Sequence, residues 1–134
     1  GSVFTTITRT ARGSRSSSVI VTARARGRSV LLTGDVERDA ERELTATSAA
    51  ADVLKVPHHG SRTSSSPAFL DAVAARIAVL SCGRNNGFGH PHPAVLAELQ
   101  RRRIRLWRTD LHGTVEITFA EGRLEVRPEI DTFR

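Results

Sequence analysis

Apolar and polar residues along this 134-residue chain change rhythm several times, and each rhythm outlines an element. Val3 to Thr10 alternates Val, Thr, Ile and Thr, the pattern of an exposed strand. Gly13 to Ser18 is a Gly/Arg/Ser stretch and reads as a mobile loop. Val19 to Ala25 and Ser29 to Thr33 are two short β-rich runs around Gly27 and predict a hairpin. Glu37 to Thr47 carries helix formers, with Ala40 and Leu44 four apart on one face. Ala51 to Val56 and Ile77 to Ser81 are compact apolar strands. Pro67 opens a helix running to about Ala75, and Pro93 opens another through Arg103. Ile104 to Trp107 is a further strand, and Thr109 to Gly113 reads as a turn. Thr114 to Phe119 and Arg123 to Arg127 form a closing hairpin over Ala120-Glu121-Gly122. The order is hairpin, then α-β-α-β-α-β, then hairpin. It predicts a layered α/β domain with strands 52–56, 77–81 and 104–107 side by side.

Composition narrows the class. Hydrophobic residues are 39 % and charged residues 25 %, an ordinary globular balance over one domain. No apolar run approaches the ~18–20 residues of a membrane span. The single cysteine, Cys82, excludes an intrachain disulfide framework and a Cys-rich zinc site. It follows an apolar strand and reads as a buried small side chain, as Trp107 reads as core. Aromatics are 4 %, so a base-stacking platform is poorly supplied. The chain has no Met, and Gly1-Ser2 resembles a cleavage scar, which predicts a segment cut from a longer protein. Net charge is +6, and every basic residue but Lys55 is Arg. That bias fits either a polyanionic partner or a GC-rich genome. Residues 1–17 read as a basic, flexible lead-in to a single domain.

Three clusters could carry chemistry. In Leu31-Leu32-Thr33-Gly34-Asp35 an apolar strand ends at Gly with an Asp at its tip. That carboxylate could bridge metal ions at the strand end, or simply cap the helix that follows. In Lys55-Val56-Pro57-His58-His59-Gly60-Ser61, two His follow a buried strand. Neighbouring side chains on an extended chain point apart, so one His is expected as a metal ligand. The other is expected as a proton-transfer or ligand-orienting group. Gly60 would let the backbone approach a ligand, and Ser61 would donate to a phosphate oxygen. Gly89-His90-Pro91-His92-Pro93 offers an HxH pair, read here as a rigid helix start whose His90 and His92 rim a cleft rather than as a zinc motif.

In order, these runs together with Thr109-Asp110 resemble the metallo-β-lactamase-like domain of ComEC-type DNA-uptake proteins, over roughly residues 18–119. The resemblance implies an αββα sandwich, here apparently only its second half. It implies a zinc- or manganese-dependent hydrolase that cleaves DNA phosphodiesters, degrading the strand that is not imported. It implies a location outside the cytoplasmic membrane, attached to a membrane channel domain of the same protein. By the family pattern Asp35 is the bridging, catalytic carboxylate and His59 a metal ligand. His58 is a catalytic proton-transfer residue, with an exchange of roles between the two His left open. Ser61, Arg62, Arg84, His90 and His92 are expected at the substrate.

The HxHxDH motif of that family is absent here, so the chain alone is expected to be inactive and metal-free. Two ligands do not complete a catalytic zinc site. Half a sandwich would also leave one sheet face open, which a second copy could cover. Two other readings stand beside this one. One is a DNA-binding module without metal, and the other is a hydrolase of small esters or phosphoesters.

Overall fold

The computed structural model describes residues 4–12, 17–47 and 49–131. One six-stranded sheet runs in the spatial order β1 (Phe4–Arg12), β2 (Ser17–Ala25), β3 (Arg28–Leu32), β4 (Val53–Lys55), β5 (Ile77–Leu80), β6 (Arg105–Arg108). The first three strands meander antiparallel, and β3 through β6 are parallel. Three helices make the parallel crossovers: α1 (Arg38–Ala46), α2 (Pro67–Val73) and α3 (Pro93–Arg101). A short helix, α4 (Thr109–His112), leads to a separate ribbon of β7 (Val115–Ala120) and β8 (Arg123–Pro128). The described residues are thus mixed α/β with four α-helices. Among the described residues no helix is long and apolar enough to cross a membrane.

The side-by-side strands and both hairpins follow the sequence pattern. Residues 109–113 do not: Thr109–His112 form α4 where a turn is predicted, with Asp110 in its first turn paired to Arg108 at the strand end. Residues 13–16 of the expected mobile loop lie outside the described residues, and Ser17 and Ser18 already belong to β2.

Register explains how the two faces differ. On one face Ile20, Leu31, Leu54, Ala78 and Leu80 form a single buried cluster with Ala40 and Leu44 of α1, Phe69, Leu70 and Val73 of α2, and Val95 and Leu99 of α3. Each fully buried Leu or Phe there contributes about 1.5–3 kcal/mol. The cross-strand partners Val21, Leu32, Lys55, Val79 and Trp107 make a row on the opposite face. This second face is covered only in part. Val53 and Trp107 are buried there although they lie outside the helix-side cluster. Arg28, on the same face as Val30 and Leu32, donates to the Gly122 carbonyl at 3.3 Å and so holds the turn of the β7–β8 ribbon on this side. Among the residues whose burial is described, Val19 and Leu32 are the exposed large apolar residues of the face.

Candidate functional site

Parallel strands deliver their carboxyl ends to one edge of the sheet, and the reactive residues sit just beyond them. After β3, Gly34 turns the chain and presents Asp35. Asp35 does not cap α1: the residue at the cap is Glu37, and it makes no side-chain capping bond. The Asp35 carboxylate instead faces His59, with Oδ1 at 3.4 Å from Nε2.

After β4, Pro57 starts a tight turn in which His58 (φ 48°) and His59 (φ 54°) both take the left-handed conformation. That conformation is costly for side chains larger than Gly. It also ends the alternation of the strand, so the two rings do not diverge as an extended chain would require. Both line the same cleft of about 440 Å³, together with Asp35, Cys82, Gly83, Asn86, Phe88 and His90.

The strained turn is held from several sides. The His58 N–H donates to the Gly34 carbonyl at 3.0 Å and ties the second strand end to the first. The Ser61 N–H donates back to the His58 carbonyl at 2.9 Å. Gly60 (φ +80°) lies against Pro91, where a Cβ would come within 2.8 Å of the proline Cβ. Its close approach is therefore to the protein itself and not to a ligand. Farther along, the Ser64 hydroxyl donates to the Val36 carbonyl at 2.5 Å. The fully buried Glu41 carboxylate accepts the N–H groups of Ser65 and Ser66.

Hydrogen bonding assigns the His59 tautomer. Nδ1 lies 2.7 Å from the Ser81 carbonyl at the end of β5, and a carbonyl can only accept. Nδ1 therefore carries the proton. In the neutral ring the lone pair is then on Nε2, the atom aimed at the Asp35 carboxylate. With a neutral ring two acceptors face each other at that point, an arrangement relieved either by a proton on Nε2, which makes a His59–Asp35 ion pair, or by a shared cation. A carbonyl that orients an imidazole through its second nitrogen is the usual support of a metal-binding histidine. Two ligands of one tetrahedral zinc, each ~2.1 Å from the ion, lie ~3.4 Å apart. The pair thus fits as two ligands of a shared ion. Among the described residues no group of three or more His, Cys, Asp or Glu side chains gathers to complete such a site.

The neighbours set the electrostatics. His58 Nδ1 lies 3.6 Å from the Glu37 carboxylate, and Thr63 links the two, with its hydroxyl donating to Glu37 at 3.3 Å. Sequence reading took Glu37 only as a helix start; its place two residues beyond Asp35 on the strand-end loop is the signal that could have found it. Burial, and then the positive charge of His58, His59 and His92, pushes the His90 imidazole below its ordinary value. Burial likewise lowers the Lys55 ammonium, an effect the Asp35 charge partly offsets. Cys82 is half-buried at the cleft wall, not sunk in the core as the sequence predicts. Burial and a thiol hydrogen bond to Asp110 raise its pKa.

Four further residues expected at the substrate, Ser61, Arg62, Arg84 and His92, do not line the cleft. His92 caps α3, its Nδ1 accepting the Ala94 N–H at 3.1 Å. The buried Ser61 hydroxyl is engaged with Thr63 at 3.0 Å. Arg62 lines a neighbouring groove of about 360 Å³ with Glu37, Arg38, Asp39 and Thr63. Arg84 is exposed and donates to the Asp110 carbonyl at 3.4 Å. His112 is buried, stacked edge-on against Trp107 at 5.2 Å, and belongs to the scaffold.

No protein-family model matches the chain. Individual proteins do. It is 40 % identical over 120 residues to ComE operon protein 3 of Bacillus subtilis (strain 168), covering 87 % of this chain and 16 % of that protein. It is 37 % identical over 116 residues to Recombination protein 2 of Haemophilus influenzae, covering 87 % of this chain and 15 % of that protein. Its relatives are the ComEC-type competence proteins. A third, Competence protein ComA of Neisseria gonorrhoeae, is 35 % identical over 113 residues, covering 82 % of this chain and 16 % of that protein. The chain therefore spans about one-sixth of the length of the curated ComEC-type relatives it matches.

Proposed function

We propose that this chain is part of a metal-dependent hydrolase domain that cleaves DNA phosphodiesters during DNA uptake. In this reading it is one half of a metallo-β-lactamase-like αββα sandwich. The observation that carries the reading is the Asp35–His59 pair, 3.4 Å apart at a sheet edge, with the His59 tautomer assigned by Ser81. Relatives named for competence and for recombination support the setting in DNA uptake. The net charge of +6 suits a polyanionic substrate. The proposed location is outside the cytoplasmic membrane, attached to a membrane channel domain of the same protein.

Asp35 and His59 would hold a zinc or manganese ion together with further ligands from outside these residues. Bound there, the ion supplies Lewis acidity toward the phosphate and lowers the pKa of water toward neutrality. Glu37 and Thr63 steady the His58 ring in the same cleft, where it can move a proton to or from a reacting oxygen. The Ser81 carbonyl holds His59 in register, and the Gly34–His58 bond fixes the spacing of the two strand ends. Arg62 in the adjoining groove and Arg84 beside the cleft are placed to meet phosphates on either side.

A longer stretch of the natural protein, bearing Asp35→Ala or His59→Ala, tests this on DNA with added manganese or zinc. Each change is expected to lower metal-dependent cleavage roughly hundredfold or more. Unchanged cleavage in both variants would contradict the reading. Turnover on a small phosphodiester exceeding that on DNA would favour a small-ester hydrolase instead.

A further inference from the structure

We infer that Phe88 is a stacking platform for one unpaired nucleobase at the mouth of the His-lined cleft. The inference rests on the proposed reading of the cleft as a DNA site and adds to it which form of DNA the cleft takes. Phe88 is 83 % exposed, more than any other large apolar side chain among the described residues. Phe69 and Trp107, by contrast, are buried. An aromatic ring left in water gains nothing for the fold, and this one stands where a ligand would pass.

One side of the ring is backed. It stacks on His90 with ring centroids 5.9 Å apart and planes inclined by 30°, and His90 lines the cleft with Asp35, His58 and His59. The loop is shaped by a single side chain. The Asn86 carbonyl oxygen accepts the N–H groups of Phe88 at 3.2 Å and His90 at 3.1 Å, and its amide donates to the carbonyls of Gly83 and His90. The two rings are thus held on one short loop, with the open side of Phe88 turned away from His90. Arg84, in the same loop, is also exposed.

A nucleobase is the group that matches a flat apolar ring next to a phosphate-handling cleft. Stacking tolerates any base, because every base has a π-face. It needs the base unpaired, because a duplex has already stacked its bases. The structure therefore assigns the cleft to a single strand or a frayed end rather than an intact duplex. Sequence composition hid this, since few aromatics are needed when one is placed at the rim.

The test is equilibrium binding of labelled oligonucleotides to the 134-residue chain at low salt without metal. Three probes share a length: a single strand, an abasic strand with the same phosphates, and a blunt duplex. The wild-type chain is expected to bind the single strand about five- to hundredfold tighter than the abasic strand. Phe88→Ala should remove that margin while leaving abasic and duplex binding unchanged, and Phe88→Trp should restore it. Equal binding of the single and abasic strands by wild type would overturn the inference and leave the DNA reading standing. An equal loss of all three probes in Phe88→Ala would also overturn it, by showing a general disturbance of the loop. Absence of binding to every probe would overturn the DNA reading and this inference together.

Discussion

Two loops meet at the cleft, and they are built in opposite ways. The loop from Val56 to Ser66 carries His58 and His59 in left-handed backbone and is pinned along its whole length. Gly34 holds its start, Pro91 packs on its middle, and the buried Glu41 carboxylate holds its end. The loop from Cys82 to His92 is rooted by α4, where the Cys82 N–H and carbonyl both bond the Thr109 hydroxyl at 3.0 Å. Beyond that root it turns around one side chain, Asn86, and exposes Phe88, and only at its end is it tied back, where the His92 N–H donates to the Gly60 carbonyl at 2.9 Å. In the proposed reading His59, which would meet an ion within a few tenths of an ångström, sits on the over-determined loop. Groups suited to a large, variable ligand surface sit on the lightly held one. Strained backbone persists at the first site because the surroundings over-determine it.

The sharpest way to break this contrast is to remove the deepest anchor. Glu41→Ala leaves the N–H groups of Ser65 and Ser66 without their acceptor inside the core and is expected to cost about 3 kcal/mol. Chemical denaturation reads this directly. A loss no larger than that of a surface substitution would mean the first loop is not held as described.

The root of the second loop gives a smaller, pH-dependent effect. Arg108 makes a two-pronged bond to Asp110 at 3.0 and 2.6 Å and holds that carboxyl below the usual carboxylate range. A carboxyl depressed in the folded state stabilises at pH above its unfolded value of ~3.9, and the gain fades as pH falls toward the folded value. Asp110→Asn should therefore destabilise by about 1 kcal/mol at neutral pH, with the gap from wild type narrowing below about pH 4. Unfolding curves at several pH values check the sign, and a gap that widens on acidification would contradict it.

The smallest global effect belongs to Asn86→Ala, which should cost about 1 kcal/mol or less. Its consequence should instead be local. Amide exchange should rise at Phe88 and His90 while His58 and Ser61 stay protected. Equal acceleration in both loops would erase the distinction between them.

Much of the frame is legible in the sequence, because strand and helix periods are strong signals here. Val19–Ala25 with Ser29–Thr33, and the apolar runs near 53, 77 and 105, gave their strands because branched residues cluster between Gly, Pro and Asp. Asp35, His58 and His59 are legible as candidates because each follows directly on such a strand, where a parallel sheet collects functional groups. What is not legible depends on contacts distant in sequence. Asp35 taken alone reads first as a helix cap until His59 is seen opposite it, 24 residues away. The convergence of His58 and His59 on one cleft needs two successive left-handed residues, which no propensity favours. His92 resembles a ligand in an HxH spacing but spends its ring on the end of α3. Ser61 likewise follows the histidines in sequence yet turns its hydroxyl to Thr63.

The central claim is that Ser81 fixes the proton on Nδ1 of His59 and frees Nε2 to share a cation with Asp35. Long-range proton–nitrogen NMR of the histidine rings, recorded during zinc addition to a longer stretch of the natural protein, tests it most directly. The expected result is an Nδ1–H tautomer at His59 and a zinc-dependent shift at its Nε2 that disappears in Asp35→Asn, with the buried His112 unmoved. An Nε2–H tautomer at His59, or a zinc response confined to His90 and His92, would contradict the assignment of the pair.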